Sequence, residues 1–189
     1  MRSIKCAAIR VGLVCAIPLA ILAAAPPDDA QTYTATATVK TAGGASATAP
    51  VTVVVRQFAT DAQRDELMAA LKKGGTASAR ELLAKRTDIG TVQLGDRQVA
   101  IKHAYARRMG EGQLVTVVTD KPILFVGGGV PESKPTAGYD LGLVMLEVGA
   151  SPGRGELVPA TKVKMDAQGA VVTEDYSGEV VQLSNVVKK

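Results

Sequence analysis

The sequence predicts an α+β fold in which a mainly antiparallel sheet of about seven to nine strands carries two short consecutive helices near residues 61–73 and 79–86. Three observations predict it. Tyr33 to Val39 alternates residue by residue, with Tyr33, Ala35, Ala37 and Val39 on one face and three threonines on the other. Two segments with helix-opening sequences lie side by side instead of alternating with strands, which argues against a doubly wound nucleotide-binding fold. From Thr91 onward, short β-branched runs are separated by Gly, Pro and Asp turns.

The first 30 residues read as a leader. Arg2, Lys5 and Arg10 precede an apolar stretch from Val11 to Leu22, and Ala23-Ala24-Ala25 follows. This basic, apolar, small order is that of a cleaved secretory signal peptide. Val11 to Ala25 falls short of the roughly 20 residues a spanning helix needs, and Pro18 interrupts it. The expectation is therefore a signal peptide over 1–30 and one strand-rich domain over 31–189, with the membrane met only through the leader.

Both cysteines, Cys6 and Cys15, lie in that leader, so the domain holds without disulfides. Without residues 1–30 the chain carries 19 Lys and Arg against 16 Asp and Glu, a net charge of +3. A nearly balanced surface with few aromatic rings excludes nucleic acid as the expected partner. Only Tyr33, Phe58, Tyr105, Phe125, Tyr139 and Tyr176 are aromatic, so the core must be aliphatic.

Tyr33–Val39 is the first strand and Val51–Arg56 the second, joined through Gly43-Gly44. Thr60-Asp-Ala-Gln63 matches a capping box and opens the first helix, with Leu67, Met68 and Leu71 on one stripe. Gly74-Gly75 stops it, and Ser78-Ala-Arg-Glu81 opens the second, which buries Leu82 and Leu83. Gln98–Arg108 and Gln113–Asp120 flank Met109-Gly-Glu-Gly112 as a long hairpin. Ile123–Val126 is short and apolar, and Tyr139–Val148 reads as a strand covered on both faces. Ser151–Gly155 reads as a turn, and Val163–Met165 with Ala170–Thr173 as a second hairpin. Glu179–Leu183 and Val186-Val187 close the sheet. Tyr33–Val39 and these terminal valines could also form a free sheet edge, with Lys188-Lys189 discouraging uncontrolled pairing.

The chemistry-bearing residues are sparse. His103 is the only histidine, which excludes multi-histidine zinc sites; parity places it with Val99, Ile101 and Tyr105 as a packed residue. No Gly-x-Ser-x-Gly or Ser-x-x-Lys accompanies any serine. Gly127-Gly128-Gly129 lacks the helix start a phosphate cradle requires, but a glycine-rich loop on a sheet is where adaptable binding contacts are made. Arg107 and Arg108, with Lys102, form a local basic patch that reads most simply as the wet face of a hairpin, with an anionic envelope glycan or lipid head group as the alternative partner. Asp140, Glu147, Asp166, Glu174 and Asp175 lack the spacing of a calcium loop. No cofactor or metal is expected, and the candidate binding residues are Gly127, Gly128, Gly129, Arg107, Arg108 and His103.

From Lys72-Lys-Gly-Gly-Thr through Gly138-Tyr-Asp-Leu-Gly to Gly155-Glu-Leu-Val-Pro-Ala-Thr-Lys-Val-Lys, the chain resembles a group of uncharacterised exported bacterial proteins. The resemblance implies an envelope or secreted location and transfers no functional residue. The expected function is a non-enzymatic binding or accessory protein of the periplasm or cell exterior, its partner an envelope protein or anionic glycan. A small exported hydrolase using His103 or a sheet carboxylate is the alternative, and a self-associating envelope protein the third.

Overall fold

A computed structural model describes residues 30–40, 46–123, 136–149, 153–167, 171–176 and 180–189. The leader and Gly127–Gly129 therefore lie outside the described residues. Two strands open the fold, β1 (Gln31–Lys40) and β2 (Ser46–Val55), followed by α1 (Asp61–Ala84). Then come β3 (Gly90–Leu94), β4 (Arg97–Ile101), β5 (His103–Met109), β6 (Gly112–Thr119) and β7 (Leu141–Val148). The long β8 (Gly153–Met165), β9 (Val171–Tyr176) and β10 (Val181–Lys188) complete it.

All ten strands belong to one antiparallel sheet, in the order β4-β3-β2-β1-β10-β8-β7-β6-β5, with β9 attached to β8. That is at least one strand more than expected, because the run Gln98–Arg108 is two strands. Lys102 separates them, donating its backbone N–H to the Val118 carbonyl while its side chain reaches the Arg86 carbonyl and Asp88. The two ends of the strand path, β4 and β5, are thus joined by one residue. The sheet curls nearly into a barrel, and the chain itself closes the seam at Lys102.

That corner also changes which residues face inward. Val99 and Ile101 pack in the interior before it; Ala104 and Ala106 do so after it. His103 and Tyr105 therefore do not share a face with Val99 and Ile101, contrary to the parity of an unbroken strand.

The near-barrel is filled by aliphatic residues, among them Val51, Val53, Val92, Val115, Val117, Val144, Leu146 and Leu183, with Tyr33 the large buried ring. Tyr33, Ala35 and Ala37 face inward together, as their alternation predicts. β1 is not an edge: it lies between β2 and β10 and pairs with β10 from Tyr33 opposite Lys188 to Thr38 opposite Gln182. β10 lies between β1 and β8, and Val181, Leu183 and Val186 enter the core. The two ends of the described domain cover one another's backbone groups, so the free edges lie elsewhere, as at β9.

A second apolar cluster lies on the outer face of the sheet. Leu67, Leu71, Ala79 and Leu83 of α1 pack there on Val118, Leu141, Leu143, Val158 and Val163. β7 is consequently buried on both sides, as its continuous apolar run predicts. The α1 N-terminus carries the capping box: Gln63 N–H donates to Thr60 Oγ1 at 3.2 Å and Thr60 N–H to Gln63 Oε1 at 3.0 Å.

Two separate helices are not shown: α1 is one element, but the stop expected at Gly74-Gly75 is present as a kink, since neither glycine has helical φ and ψ. Gly75 has φ 62° and ψ −151°, a conformation that favours glycine. Ser78 lies inside the helix rather than capping a new one. Thr76 is used differently, as Val163 N–H donates to its Oγ1 at 3.0 Å beside the bulge between Lys162 and Val163. The kink therefore fastens α1 to β8.

The turn expected at Ser151–Gly155 is replaced, from Gly153 on, by strand. Gly155 runs so close to β7 that a Cβ there would lie 2.3 Å from the Met145 carbonyl oxygen. The hairpin of Val163–Met165 with the following strand is present as β8–β9, with Lys164 opposite Val172.

Candidate functional site

Strand register makes the outer face of β5–β8 a grid of three rows. In the first, His103, Val118, Leu143 and Val158 lie side by side. Tyr105, Thr116, Met145 and Glu156 form the second, extended by Gln182 of β10. Arg107, Leu114, Glu147 and Arg154 form the third. Helix α1 seals the first row. The third is hollow.

His103 sits in the sealed row with 1% of its surface exposed. Its Nδ1 lies 3.3 Å from Arg86 Nη1. A guanidinium only donates, so Nδ1 accepts and the imidazole proton belongs on Nε2. Burial, reinforced by the Arg86 charge, pushes the His103 pKa down to about 4. Arg86 also donates to the Gln63 carbonyl and pairs with Glu66 at 3.0 Å. His103 thus anchors the end of α1 and offers no open face to a solute. A cavity of about 180 Å³ lies nearby, lined in part by Phe58, Arg86 and Lys102, but His103 does not line it.

The expected basic patch is dispersed. Lys102 is committed to Asp88, whose carboxyl it holds below the usual range through their hydrogen bond. Arg107 and Arg108 point to opposite faces of β5, as successive strand residues must. Arg108 is exposed, whereas Arg107 enters the hollow row.

The hollow is a groove of about 460 Å³. Arg107, Met109 and Leu114 line one end, Met145 and Val172 the middle, and Glu147, Arg154, Glu156 and Gln182 the other. Its roof comes from the β8–β9 hairpin. Asp166, at the end of β8, lies 3.7 Å from Arg107 on β5, three strands away in the sheet. The hairpin must therefore fold back across the outer face, and Val172 of β9 looks into the space beneath it.

Charges in the groove are unevenly satisfied. Glu147 accepts from Arg154 Nε at 2.6 Å and raises the guanidinium pKa further. Arg107 Nε is buried and has no hydrogen-bond partner. Leaving such a donor unpaired costs about 1–3 kcal/mol, so an acceptor placed there is favoured. The carboxylates do not converge elsewhere: Asp175 is held by the Tyr139 hydroxyl, and Asp140 lies 3.9 Å from Arg80. Among the described residues, no group of His, Asp and Glu is placed to hold a metal ion, and no helix is long and apolar enough to cross a membrane.

Of the described candidate residues, only Arg107 enters the groove. His103 and Arg108 lie outside it. Leu114, Met145, Glu156, Val172 and Gln182 were not identifiable as a set, because five strands bring them together through register alone. The one local signal is Glu147, a charge interrupting an otherwise apolar strand. No family profile, curated protein or solved structure matches the chain.

Proposed function

We propose that the chain is an exported, non-enzymatic binding protein of the bacterial periplasm or cell exterior, and that its ligand seat is the groove beneath the β8–β9 hairpin. Export rests on the basic, apolar and small order of the first 30 residues and on the resemblance to exported bacterial proteins. Binding rests chiefly on one observation. A buried arginine nitrogen without a partner belongs to a hollow in which Met109, Leu114, Met145 and Val172 stand beside Glu147, Arg154, Glu156 and Gln182. Apolar surface with placed polar groups, in a cavity of some hundreds of Å³, suits a small molecule.

The test is native mass spectrometry of the purified protein after exposure to an envelope extract. A retained small-molecule adduct is expected, and it should vanish in Gln182→Trp, where an exposed residue is enlarged to fill the groove. An unchanged adduct in that variant, or no adduct at all, overturns the reading.

A further inference from the structure

Resting on that groove as the seat, we infer that its ligand is a small monocarboxylate with an apolar tail. Its carboxylate would take the Arg107 guanidinium in place of Asp166, and its tail would lie on Leu114, Met145 and Val172. The chemistry follows from what each part of the groove lacks.

Arg107 carries a fork of donors that suits a planar carboxylate bidentately through Nε and one terminal nitrogen. In the structure only a terminal nitrogen faces Asp166, at 3.7 Å, and Nε has no partner. Asp166 therefore holds the place of a ligand carboxylate without filling it. The other guanidinium, Arg154, gives its Nε to Glu147 and its side chain is 77% exposed against 29% for Arg107, so solvent screens it as an anion anchor.

The anionic recognition is thus a single point, which disfavours an extended polyanion. Beyond it Met109, Leu114, Met145 and Val172 form a continuous apolar stretch, with Glu147, Arg154, Glu156 and Gln182 at the far end, and none of the lining residues is aromatic. Sugar rings are commonly held by stacking on aromatic faces, so this floor suits a flexible hydrocarbon better. Glu156 stands three strands from Arg107, about 14 Å at ordinary strand spacing, far enough that its charge opposes the bound carboxylate little. At about 460 Å³ the groove lies within the roughly 300–1,000 Å³ of small-molecule pockets, which accommodates a medium-chain acid.

Isothermal titration of the purified protein with monomeric decanoate tests this. Decanol and decyltrimethylammonium carry the tail without the anion, and a galacturonate oligomer carries anions without the tail. Decanoate should bind at least tenfold more tightly than any of the three. Arg107→Gln should weaken it at least tenfold, and Asp166→Asn should tighten it severalfold by removing the competing carboxylate. A merely structural Arg107 would not produce that tightening.

Equal binding of decanol or the ammonium, or indifference to Arg107→Gln, overturns the inference. Binding of the galacturonate oligomer alone, lost in Arg107→Gln, overturns the carboxylate-and-tail assignment while leaving the groove as the seat. If no probe binds and the Gln182→Trp test also fails, both readings fall together.

Discussion

The two ends of the outer face of β5–β8 are built on the same four strands and treated oppositely. At one end His103, Val118, Leu143 and Val158 are sealed under α1, and every large side chain has found a partner. At the other, Arg107, Leu114, Glu147 and Arg154 lie under a hairpin that bridges the sheet without filling it. The difference originates in chain geometry. A helix delivers leucines down onto a sheet at every turn, whereas β9 contributes Val172 to this groove and the hairpin reaches β5 through the Arg107–Asp166 ion pair. Packing at one end supplies rigidity against which an unfilled site can persist at the other.

The sealed end should carry the stability. Leu83 is fully buried in the cluster under α1, so Leu83→Ala should lower unfolding free energy by about 2–5 kcal/mol in a urea titration. Ligand binding in the groove should survive under conditions where the variant remains folded. Loss of both together would show that the two ends are one cooperative unit and would break the comparison.

Acid should act at the same end. His103 titrates at about 4 when folded, against 6.5 as its ordinary value. Above pH 6.5 the imidazole is neutral in both states and costs nothing. As pH falls below that, the unfolded chain takes the proton first, so stability declines until pH reaches about 4. The total loss is roughly 3 kcal/mol. Urea midpoints measured across this range should fall in the native protein and flatten in His103→Gln, which keeps an acceptor for Arg86.

How much of this was legible in the sequence depends on how far apart the cooperating residues are. The strand Tyr33–Val39, the capping box Thr60–Gln63 and the doubly covered β7 rest on local periodicity, and the structure has all three. The break at Lys102 was not legible, because β-branched and polar residues continue through it with no glycine or proline. It is enforced by distant partners, Val118, Arg86 and Asp88. The second capping box was a local signal overridden in the same way. Thr76, two residues upstream of Ser78, is drawn to a bulge in β8 that no local pattern announces. Arg107 was singled out for its charge, but as half of a pair with Arg108 that strand alternation separates. The rest of the groove depends on register among five strands and had no local signature.

The helix kink offers a smaller perturbation of the sealed end. Gly75 adopts a backbone conformation that side-chain-bearing residues rarely reach, so Gly75→Ala should cost about 1–3 kcal/mol although nothing lies within 4 Å of its missing Cβ. At Gly74 the conflict is steric, since a Cβ would lie 2.1 Å from Ser78 Oγ, which can rotate away. Gly74→Ala should therefore cost less than Gly75→Ala, and thermal melting of the pair reads the order. The reverse order would mean that Ser78 is held in place and that contact, not backbone strain, sets the kink.

The smallest effects are expected at the hollow end, where they separate two neighbouring arginines. Arg108 is exposed and on the opposite face, so Arg108→Ala should change stability by less than about 0.5 kcal/mol and leave hydrogen exchange unaltered. Arg107→Ala should move global stability little, because its ion pair with Asp166 is long and partly solvated, and the packing lost with its stem offsets the relief of its unpaired Nε. Its effect should be local. Without Arg107 the hairpin loses its tie to β5, and amides of β9 should exchange faster while those of β7, buried on both faces, do not. Faster exchange in both strands would mean that the hairpin and the sealed sheet open together, and that the hollow is not independent of the packing beside it.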